Sequence, residues 1–388
     1  MRPSDRTSSL AQSEIRAISN KINAVNGINL GQGICDMPTP DAIKAAARQA
    51  IDENRSIYSH FAGVEALRTS ILDKVRDYNR IPATSVDEIV VSVGSTGVFT
   101  AAILALLNPG EGAILFEPFY GYHRHVLQLF GAVPQYVTLR GHDWEVPWSE
   151  LEESVTDDTR VIVLTTPGNP HGKVWTREEL ERILDLARRR DLAVITDEIY
   201  EYMLYDDRKH VSFASLDGAY DRTITLSGFS KTFNMTGWRL GYAVGPSDVL
   251  EQMGLINDLV YICAPTPLQH GVKSAYDMDP EYFSRMAADY DEKRSLMCRT
   301  LERIGFDVPW PQGAYYVLAS FKPRSDEDGF GDDGQAVQTL VDRAGVGAVR
   351  GSAFFHRADD GRHFLRFCFA KEMPVLEEAC DRLVRAFG

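Results

Sequence analysis

The sequence predicts an α/β fold in which a mostly parallel central sheet is covered by helices and joined to a smaller α+β domain. Between residues 88 and 245, short apolar runs rich in valine, isoleucine and leucine alternate with helical patterns. Near-continuous apolar runs of this kind are typical of parallel strands that are buried on both faces. Beyond residue 280 the pattern changes to a long amphipathic helix, two strands and a final helix, which indicates the second domain.

Six runs are predicted to be the strands of the large sheet: EIVVSV, GAILF, RVIVLTT, LAVIT, RTITLS and RLGYAV. Residues 98–107 are predicted to form a helix after the first strand. A second helix, REELERILDLARRR, follows Thr176 as its N-cap, and Glu179 three residues later completes a capping box. The small domain is predicted to contain the strands AYYVLAS and HFLRFCF and a last helix that starts at Pro374.

The composition is that of a globular enzyme. A length of 388 residues predicts two closely associated domains. There are 41 basic and 55 acidic residues, and the net charge of −14 argues against binding to nucleic acid or to an anionic membrane. The first 20 residues lack the apolar core of a secretion signal, and the longest apolar run is too short to span a bilayer. Five cysteines without CxxC spacing indicate reduced thiols, so we expect a cytoplasmic protein.

Polar and aromatic side chains follow five of the predicted strands at the points where the strands end. In open parallel sheets, ligands bind just outside the carboxyl ends of the strands. Taken singly, each side chain is equally suited to a turn or a helix cap. Taken together they favour one cofactor, pyridoxal phosphate (PLP). The residues that follow the ends of these five strands are the segment GSTG at 94–97, Tyr120, Asn169, Asp197 and Lys231.

The segment SGFSKTFNMTGWR places Lys231 in a tight turn after an apolar strand and Arg239 eight residues later. A lysine in that position is well placed to form a Schiff base with an aldehyde. Arg239 would bind a phosphate through paired N–H donors, beside the helix N-terminus that carries Ser95 and Thr96. The flanking TGW and LGY predict that Arg239 is partly buried. The alternatives are a solvated lysine and a surface salt bridge.

Asp197 ends a buried strand, where a carboxylate needs a cationic partner, and a protonated pyridine nitrogen would be that partner. The protonated ring withdraws electrons when the substrate loses its Cα proton. Asn169 and Tyr200 are both suited to hydrogen bonding with the 3′ oxygen of the ring, and Tyr120 to stacking on it. A turn role for Asn169 and core packing for Tyr120 remain alternatives. Glu198, the next acid, is expected to have a structural role.

Two further features are predicted to carry no chemistry. His123 and His125 lie two residues apart without a third ligand, so a structural or surface role is favoured over metal binding. The acidic, glycine-rich segment 325–334 lacks the ligand spacing of an EF-hand and is predicted to be a mobile surface loop. We therefore predict no metal site.

In order along the chain, these motifs resemble those of the class I/II aminotransferases, the aspartate aminotransferase superfamily of PLP fold type I. They span nearly the whole sequence. The resemblance implies an N-terminal arm that forms part of the small domain (1–45), a large PLP-binding domain (46–280) and a small C-terminal domain (281–388). The matching motifs are INLGQGICDMPTP, YSHFAGVEALR, VSVGSTG, PGNPHGKV, TDEIY, SGFSKTFNMTGWRLGY, GAYYVL and HFLRF.

The resemblance also implies a role for each matching residue. Lys231 binds the cofactor covalently, Asp197 pairs with the pyridine nitrogen, and Tyr200 contacts the 3′ oxygen. The residues implied to bind the cofactor are Ser95, Thr96, Tyr120, Asn169, Asp197, Tyr200, Lys231, Arg239 and, from the neighbouring subunit, Tyr58. The residues implied to bind the substrate are Gly33, Asn169 and Arg366. The match at Tyr58 implies a homodimer with shared active sites. For Arg366, the sequence alone leaves a position on an exposed strand face as an equal alternative.

Three positions depart from the family pattern. Gly228 stands where the family often has serine, which puts one phosphate contact in doubt. His171 replaces the usual threonine of the NPTG turn and either faces solvent or reaches the substrate channel. The segment 261–270, expected near the partner's active site, has no charged residue for a dicarboxylate side chain, which disfavours a dedicated aspartate enzyme. The sequence looks closer to the kynurenine/glutamine or broad aromatic and aliphatic subgroup.

The predicted function is that of a PLP-dependent aminotransferase, which moves an amino group from an L-amino acid to a 2-oxo acid by a ping-pong mechanism through pyridoxamine phosphate. One alternative is a β-eliminating lyase of the cysteine-conjugate type, because the same active-site residues can support several different reactions of the carbanion that forms at the substrate Cα. A non-catalytic PLP-binding regulatory module is disfavoured because the short polar N-terminus leaves no room for a nucleic-acid-binding segment. A nicotinamide dehydrogenase is disfavoured because no GxGxxG follows the first strand.

Overall fold

The computed structural model describes Ser4 and residues 14–388. Its α-helices are α1 (Glu14–Ala24), α2 (Asp41–Asp52), α3 (Glu65–Asp77), α4 (Gly94–Leu106), α5 (Gly121–Leu129), α6 (Trp148–Ser154), α7 (Arg177–Arg190), α8 (Ser247–Tyr261), α9 (Thr266–Lys273), α10 (Glu281–Arg303), α11 (Asp333–Ala344), α12 (Ala358–Gly361) and α13 (Met373–Phe387). Its strands are β1 (Ile28–Asn29), β2 (Ile89–Val93), β3 (Gly112–Glu117), β4 (Val133–Thr138), β5 (Thr159–Thr165), β6 (Ala193–Asp197), β7 (Thr223–Gly228), β8 (Leu240–Val244), β9 (Tyr316–Ser320), β10 (Val346–Gly347), β11 (Val349–Arg350) and β12 (Phe364–Cys368).

Seven strands form the central sheet, in the order β2-β8-β7-β6-β5-β3-β4. All of them run in one direction except β8, which is antiparallel to both β2 and β7. The predicted mostly parallel sheet is therefore confirmed. The sequence did not reveal β4, because this edge strand contains Pro134 and is only partly buried, so it lacks the continuous apolar run of its neighbours.

Both faces of the sheet are buried, as the apolar runs predict. Successive side chains of a strand point to opposite faces. In β3, Ala113 and Leu115 belong to the apolar core on one side of the sheet, whereas Ile114 and Phe116 belong to the core on the other side, with Trp175 packed edge-on against Phe116. Layers of helices on each side leave only the ends of the strands open to a ligand.

The small domain is built on the antiparallel sheet β11-β12-β9. The N-terminal part of the chain joins it, because β1 pairs in parallel with β10 and the carbonyl of Leu30 accepts a hydrogen bond from the Cys368 amide. The predicted contribution of both chain ends to one small domain agrees with this pairing, while the boundaries at 45 and 280 stay predictions. Strand β12 carries Arg366 towards the large sheet.

Two helix starts show how local sequence sets the fold. Helix α7 begins after Thr176, and the predicted capping box with Glu179 is present. Helix α4 begins at Gly94 and not at Val98, because Gly94 has a φ of +73° that lets the chain turn from β2 directly into the helix. The segment GSTG is therefore the first turn of the helix.

The acidic segment 325–334 is partly structural, which corrects the prediction of a mobile surface loop. The Asp332 side chain accepts a hydrogen bond from the amide of Gln335 and caps α11. Asp333 is buried and accepts from Arg350 Nε at 3.2 Å and from the Ser352 amide at 2.8 Å.

No helix in the described part of the chain is both long and apolar enough to cross a membrane.

A buried ion pair fixes the segment that follows β6. Lys74 Nζ donates to Glu201 Oε1 at 2.5 Å, and the same carboxylate accepts from Asn79 at 2.7 Å and from Ser227 at 2.9 Å. Burial is the largest single influence and by itself would raise the pKa of Glu201, but the Lys74 ammonium together with His210 and Asn79 outweighs burial and lowers it. The preceding acid, Glu198, has the structural role that we predicted, since it binds the His210 ring at 2.7 Å.

Replacing Lys74 by methionine is expected to lower the free energy of unfolding by about 3–5 kcal/mol, because Glu201 would be left buried without its cation. Urea denaturation at neutral pH measures this loss. The matched control is Lys44→Met, which removes a solvent-exposed pair with Asp41 and should cost less than about 1 kcal/mol. Equal losses in the two variants would contradict the prediction.

The same pair also predicts how stability depends on pH. The pKa of Glu201 is lower in the folded chain than in the unfolded chain. The contribution of Glu201 is therefore complete above the ordinary glutamate pKa and is lost as the pH falls through the lowered value. Lys74→Met should remove this component of acid sensitivity.

Candidate active site

A cavity of about 300 Å³ lies between the carboxyl ends of the large sheet and the small domain. Ten of the eleven predicted site residues line it, including those predicted at the ends of five strands. The eleventh, Tyr58, lies outside the cavity with 76% of its surface exposed. The ten lining residues are Gly33, Ser95, Thr96, Tyr120, Asn169, Asp197, Tyr200, Lys231, Arg239 and Arg366.

Lys231 projects into the cavity from the turn after β7, which is anchored by the buried rings of Phe229 and Phe233. Its Nζ donates to the carbonyl oxygen of Gly33 at 3.2 Å and lies 5.6 Å from the ring centroid of Tyr315. Among the described residues, no carboxylate lies within 4.0 Å of this amine. A neutral carbonyl is a weaker partner than a carboxylate, so the amine is available for reaction with a ligand.

Asp197 is the last residue of β6 and is buried. Its Oδ2 lies 3.2 Å from His123 Nε2, and its Oδ1 accepts from the Ile199 amide at 3.3 Å. His123 is itself buried, with its ring 4.3 Å from Phe99 and edge-on to Tyr120. The favoured structural or surface role for His123 was therefore incomplete, because the residue contacts a predicted site carboxylate. Its position one helical turn after Tyr120 is the signal that would have found it.

The first turn of α4 and Arg239 lie side by side in the lining of the cavity. Ser95 and Thr96 lie in that turn, where backbone N–H groups have no partner within the helix. A Cβ atom on Gly94 would lie 2.5 Å from Arg239 Nη2, so only glycine leaves this space free. Arg239 is exposed, not partly buried as predicted, and donates to the Thr236 carbonyl at 2.9 Å. An exposed guanidinium is readily reached by a phosphate.

Arg366 is 1% exposed, so an exposed strand face is the wrong interpretation of this residue. Its Nη1 donates to Asn169 Oδ1 at 2.9 Å and its Nη2 to the Gly31 carbonyl at 2.7 Å. Its Nε has no hydrogen-bond partner among the described residues, and no described carboxylate lies within 4.0 Å. A buried guanidinium without an anion is costly, and its planar donors match a ligand carboxylate.

Four tyrosines line the cavity: Tyr120, Tyr122, Tyr200 and Tyr316. Burial raises the pKa of Tyr120 and Tyr200, so both phenols keep their protons at neutral pH. The Tyr200 hydroxyl lies 3.4 Å from that of Tyr316. Tyr316 was not among the predicted site residues, although it lies in the GAYYVL motif that matched the family.

Two of the three departures from the family pattern, at His171 and Gly228, now have physical explanations. His171 does not face solvent: it is buried behind Asn169 and does not line the cavity. Its Nδ1 accepts from the Lys173 amide at 3.0 Å. Burial, helped by the charge of Lys173, lowers the pKa of His171 to about 3. At Gly228 a Cβ would lie 3.1 Å from the neighbouring strand, and Ser230 instead offers a hydroxyl to the cavity.

Because His171 is neutral across the working range, His171→Gln is expected to leave the pH dependence of kcat/KM unchanged between about pH 5 and pH 9. Steady-state kinetics across that range measure this. The contrasting variant is His123→Gln, which removes the contact with Asp197 and should lower kcat. An ionisation that disappears from the profile of His171→Gln would contradict the prediction.

Comparisons with known proteins agree with this geometry. Residues 25–383 match the family model for aminotransferase class I and II. The aromatic-amino-acid aminotransferase 2 of Thermococcus litoralis is 34% identical, and the match covers 98% of this chain and 97% of that protein. The aspartate aminotransferase of Pyrococcus abyssi is 35% identical, with 99% and 97% covered. The solved N-succinyldiaminopimelate aminotransferase of Mycobacterium tuberculosis superposes with a TM-score of 0.94 at 31% identity, with 99% and 100% covered.

These similarities extend over nearly the full length of the chain. They confirm the predicted PLP fold type I and the predicted transaminase activity. The names of the relatives give no support to a β-eliminating lyase in preference to a transaminase. The chain therefore belongs to the class I and II aminotransferase family.

Proposed function

We propose that this chain binds pyridoxal phosphate in the cavity and uses it to transfer an amino group from an L-amino acid to a 2-oxo acid. The observation that carries the proposal is the convergence of Lys231, Asp197 and Arg366 on one cavity of about 300 Å³. A free amine, a buried carboxylate and a buried guanidinium without an anion are the three groups that this chemistry requires.

The cavity fits each end of the cofactor. The space that glycine leaves open beside Arg239 suits the phosphate, with Ser95 and Thr96 as further donors. Asp197 would hold the protonated pyridine nitrogen, and the protonated phenol of Tyr200 would donate to the 3′ oxygen. When bound, PLP supplies an electron-withdrawing ring that stabilises negative charge at the substrate Cα.

Lys231 has two tasks in this proposal. Its Nζ would hold the cofactor, and as a general base the same amine would accept the Cα proton of the substrate. The 3.2 Å contact with the Gly33 carbonyl holds the amine near the carboxyl end of β7, where it has no ionic partner among the described residues. The amine can therefore exchange a proton without first breaking a salt bridge.

The charges of the cavity favour an amino acid with an uncharged side chain. Of the described lining residues, Lys231, Arg239 and Arg366 are the cations, and the first two are assigned to the cofactor. Arg366 would then bind the α-carboxylate, with Asn169 beside it. A second carboxylate would be desolvated in this cavity without a cation. Ile34 and Tyr122 also line the cavity and offer apolar contacts.

The visible absorption of the purified protein loaded with PLP tests the proposal. Phenylalanine, leucine, methionine, glutamine and aspartate are added one at a time, and the loss of the cofactor band gives kcat/KM for each half-reaction. We expect phenylalanine to exceed aspartate by about tenfold or more. A protein that acquires no visible band would refute the cofactor assignment, and a preference for aspartate would refute the substrate class.

We further propose a cytoplasmic homodimer in which Tyr58 reaches the active site of the neighbouring subunit. Exposed apolar side chains lie on the end of α8 and on the segment around Tyr58, and Leu259 is 86% exposed. The two elements adjoin, because Asn257 donates to the Phe61 carbonyl. Contiguous apolar surface of this kind marks an interface. Sedimentation equilibrium should show a dimer that Leu259→Asp weakens, and a wild-type monomer at micromolar concentration would refute the proposal.

A further inference from the structure

Tyr316 contacts three separate parts of the site. It is the first residue of β9, and its buried side chain lines the cavity. The centroid of its ring lies 4.3 Å from Arg366 Cζ, and its hydroxyl lies 3.4 Å from that of Tyr200. A Cβ atom on Gly33 would lie 1.8 Å from the Tyr316 hydroxyl oxygen, so this phenol fills the space beside Gly33. One side chain therefore links the groups assigned to substrate and to cofactor.

The Tyr316 ring contacts the Arg366 guanidinium without accepting a hydrogen bond from its N–H groups. Arg366 Cζ also lies 5.0 Å from the ring centroid of Phe354, so two aromatic rings and two carbonyl-type acceptors surround it. A planar guanidinium stacks on an aromatic ring by cation–π attraction. A carboxylate in the place of Tyr316 would compete with the substrate carboxylate, whereas a ring leaves Nε without a partner.

The hydroxyl of Tyr316 acts on Tyr200. The separation of 3.4 Å is longer than an ordinary O–H···O hydrogen bond, so the contact is weak and Tyr200 readily donates to a better acceptor. A phenol both donates and accepts. When Tyr200 donates to a ligand oxygen, Tyr316 is positioned to donate to the Tyr200 oxygen, and such chains of hydrogen bonds strengthen one another.

We propose that Tyr316 is a positioning residue with two separable actions, a proposal that rests on the function proposed above. Its ring orients Arg366 towards the substrate carboxylate. Its hydroxyl supports Tyr200 as the donor to the 3′ oxygen of the cofactor. The first action affects carboxylate binding, and the second affects the ionisation of the bound cofactor.

Two variants separate the two actions. Tyr316→Phe removes the hydroxyl and keeps the ring, whereas Tyr316→Leu removes both. The matched control is Tyr220→Phe, which removes a phenol that donates to the Gly245 carbonyl at 3.1 Å and does not line the cavity. The first readout is the Kd of 3-phenylpropionate, a carboxylate without an amino group, by isothermal titration calorimetry. The second is the midpoint pH of the change in visible absorption of the PLP-loaded protein.

We expect Tyr316→Phe to keep the Kd of 3-phenylpropionate within about twofold of wild type and to raise the midpoint pH by about half a unit. The rise follows because a weaker Tyr200 donor stabilises the anionic 3′ oxygen less. Tyr316→Leu should show a similar rise and weaken the Kd by about fivefold or more. The control Tyr220→Phe should change neither value.

Either of two results would overturn the proposal: an unchanged midpoint in Tyr316→Phe, or an unchanged Kd in Tyr316→Leu. If Tyr316→Leu does not fold, Tyr316→Met keeps more of the buried volume and is judged by the same criteria. Failure of the proposed function is distinguishable, because a wild-type protein that binds no PLP would show no visible absorption at all. A Tyr316 proposal that fails would instead leave the wild-type spectrum intact.

Discussion

Replacing Lys231 by alanine is expected to lower kcat by at least about 10³-fold, because under the proposed function the variant loses both the covalent anchor and the general base. The other cavity residues stay in place, so Lys231→Ala should still bind PLP, held by Arg239 and Asp197. Single-turnover kinetics with phenylalanine and a 2-oxo acid measure the rate, and absorption after gel filtration measures the retained cofactor.

The matched control for this prediction is Lys273→Ala. Lys273 is a half-exposed lysine whose Nζ pairs with Asp277 at 2.8 Å, and it does not line the cavity. Its replacement should leave kcat within about twofold of wild type. A Lys231→Ala variant that keeps a substantial transaminase rate would show that another group supplies the amine, and the site assignment would then be wrong.

The second large effect is expected from Asp197→Asn, which should lower kcat by at least about 10²-fold. Asparagine has nearly the same shape and still accepts a hydrogen bond from the Ile199 amide, so the fold is preserved. What is lost, under the proposed function, is the negative charge that would keep the pyridine nitrogen protonated, and with it the electron withdrawal that would stabilise negative charge at the substrate Cα.

Steady-state kinetics of Asp197→Asn, with melting temperature as the check on folding, measure this effect. The control is Asp277→Asn, which removes an exposed carboxylate from a surface ion pair. A variant with wild-type kcat would mean that the carboxylate of Asp197 serves only the contact with His123, at 3.2 Å, and has no part in the reaction.

Most of the site could be predicted because parallel strands bring their carboxyl ends to one edge of a sheet. Asp197 and Lys231 are 34 positions apart in the numbering, yet they follow neighbouring strands β6 and β7 and so line the same cavity. The apolar runs identified those strands because both faces of the sheet are buried. Arg366 came from the family resemblance alone, since its surroundings in β12 do not reveal that the residue is buried.

The features that could not be predicted depend on tertiary contacts. Strand β4 has one exposed edge and a proline at Pro134, so it carries no buried-strand pattern. Tyr316 matters through its contact with Arg366, which no local spacing encodes. The spacing of His123 from Tyr120 indicates its position, but its contact with Asp197 depends on the tertiary fold. The exposure of Arg239 could not be predicted from its apolar neighbours, because burial changes within two residues: Trp238 is half-buried, Arg239 is exposed and Leu240 is buried.

The most direct test of the central claim is to reduce the PLP-loaded protein with borohydride and map the modified peptide by mass spectrometry. We expect a phosphopyridoxyl group on Lys231, the amine that shares a cavity with Asp197 and Arg366. A phosphopyridoxyl group on any other lysine, or no covalent adduct at all, would contradict it.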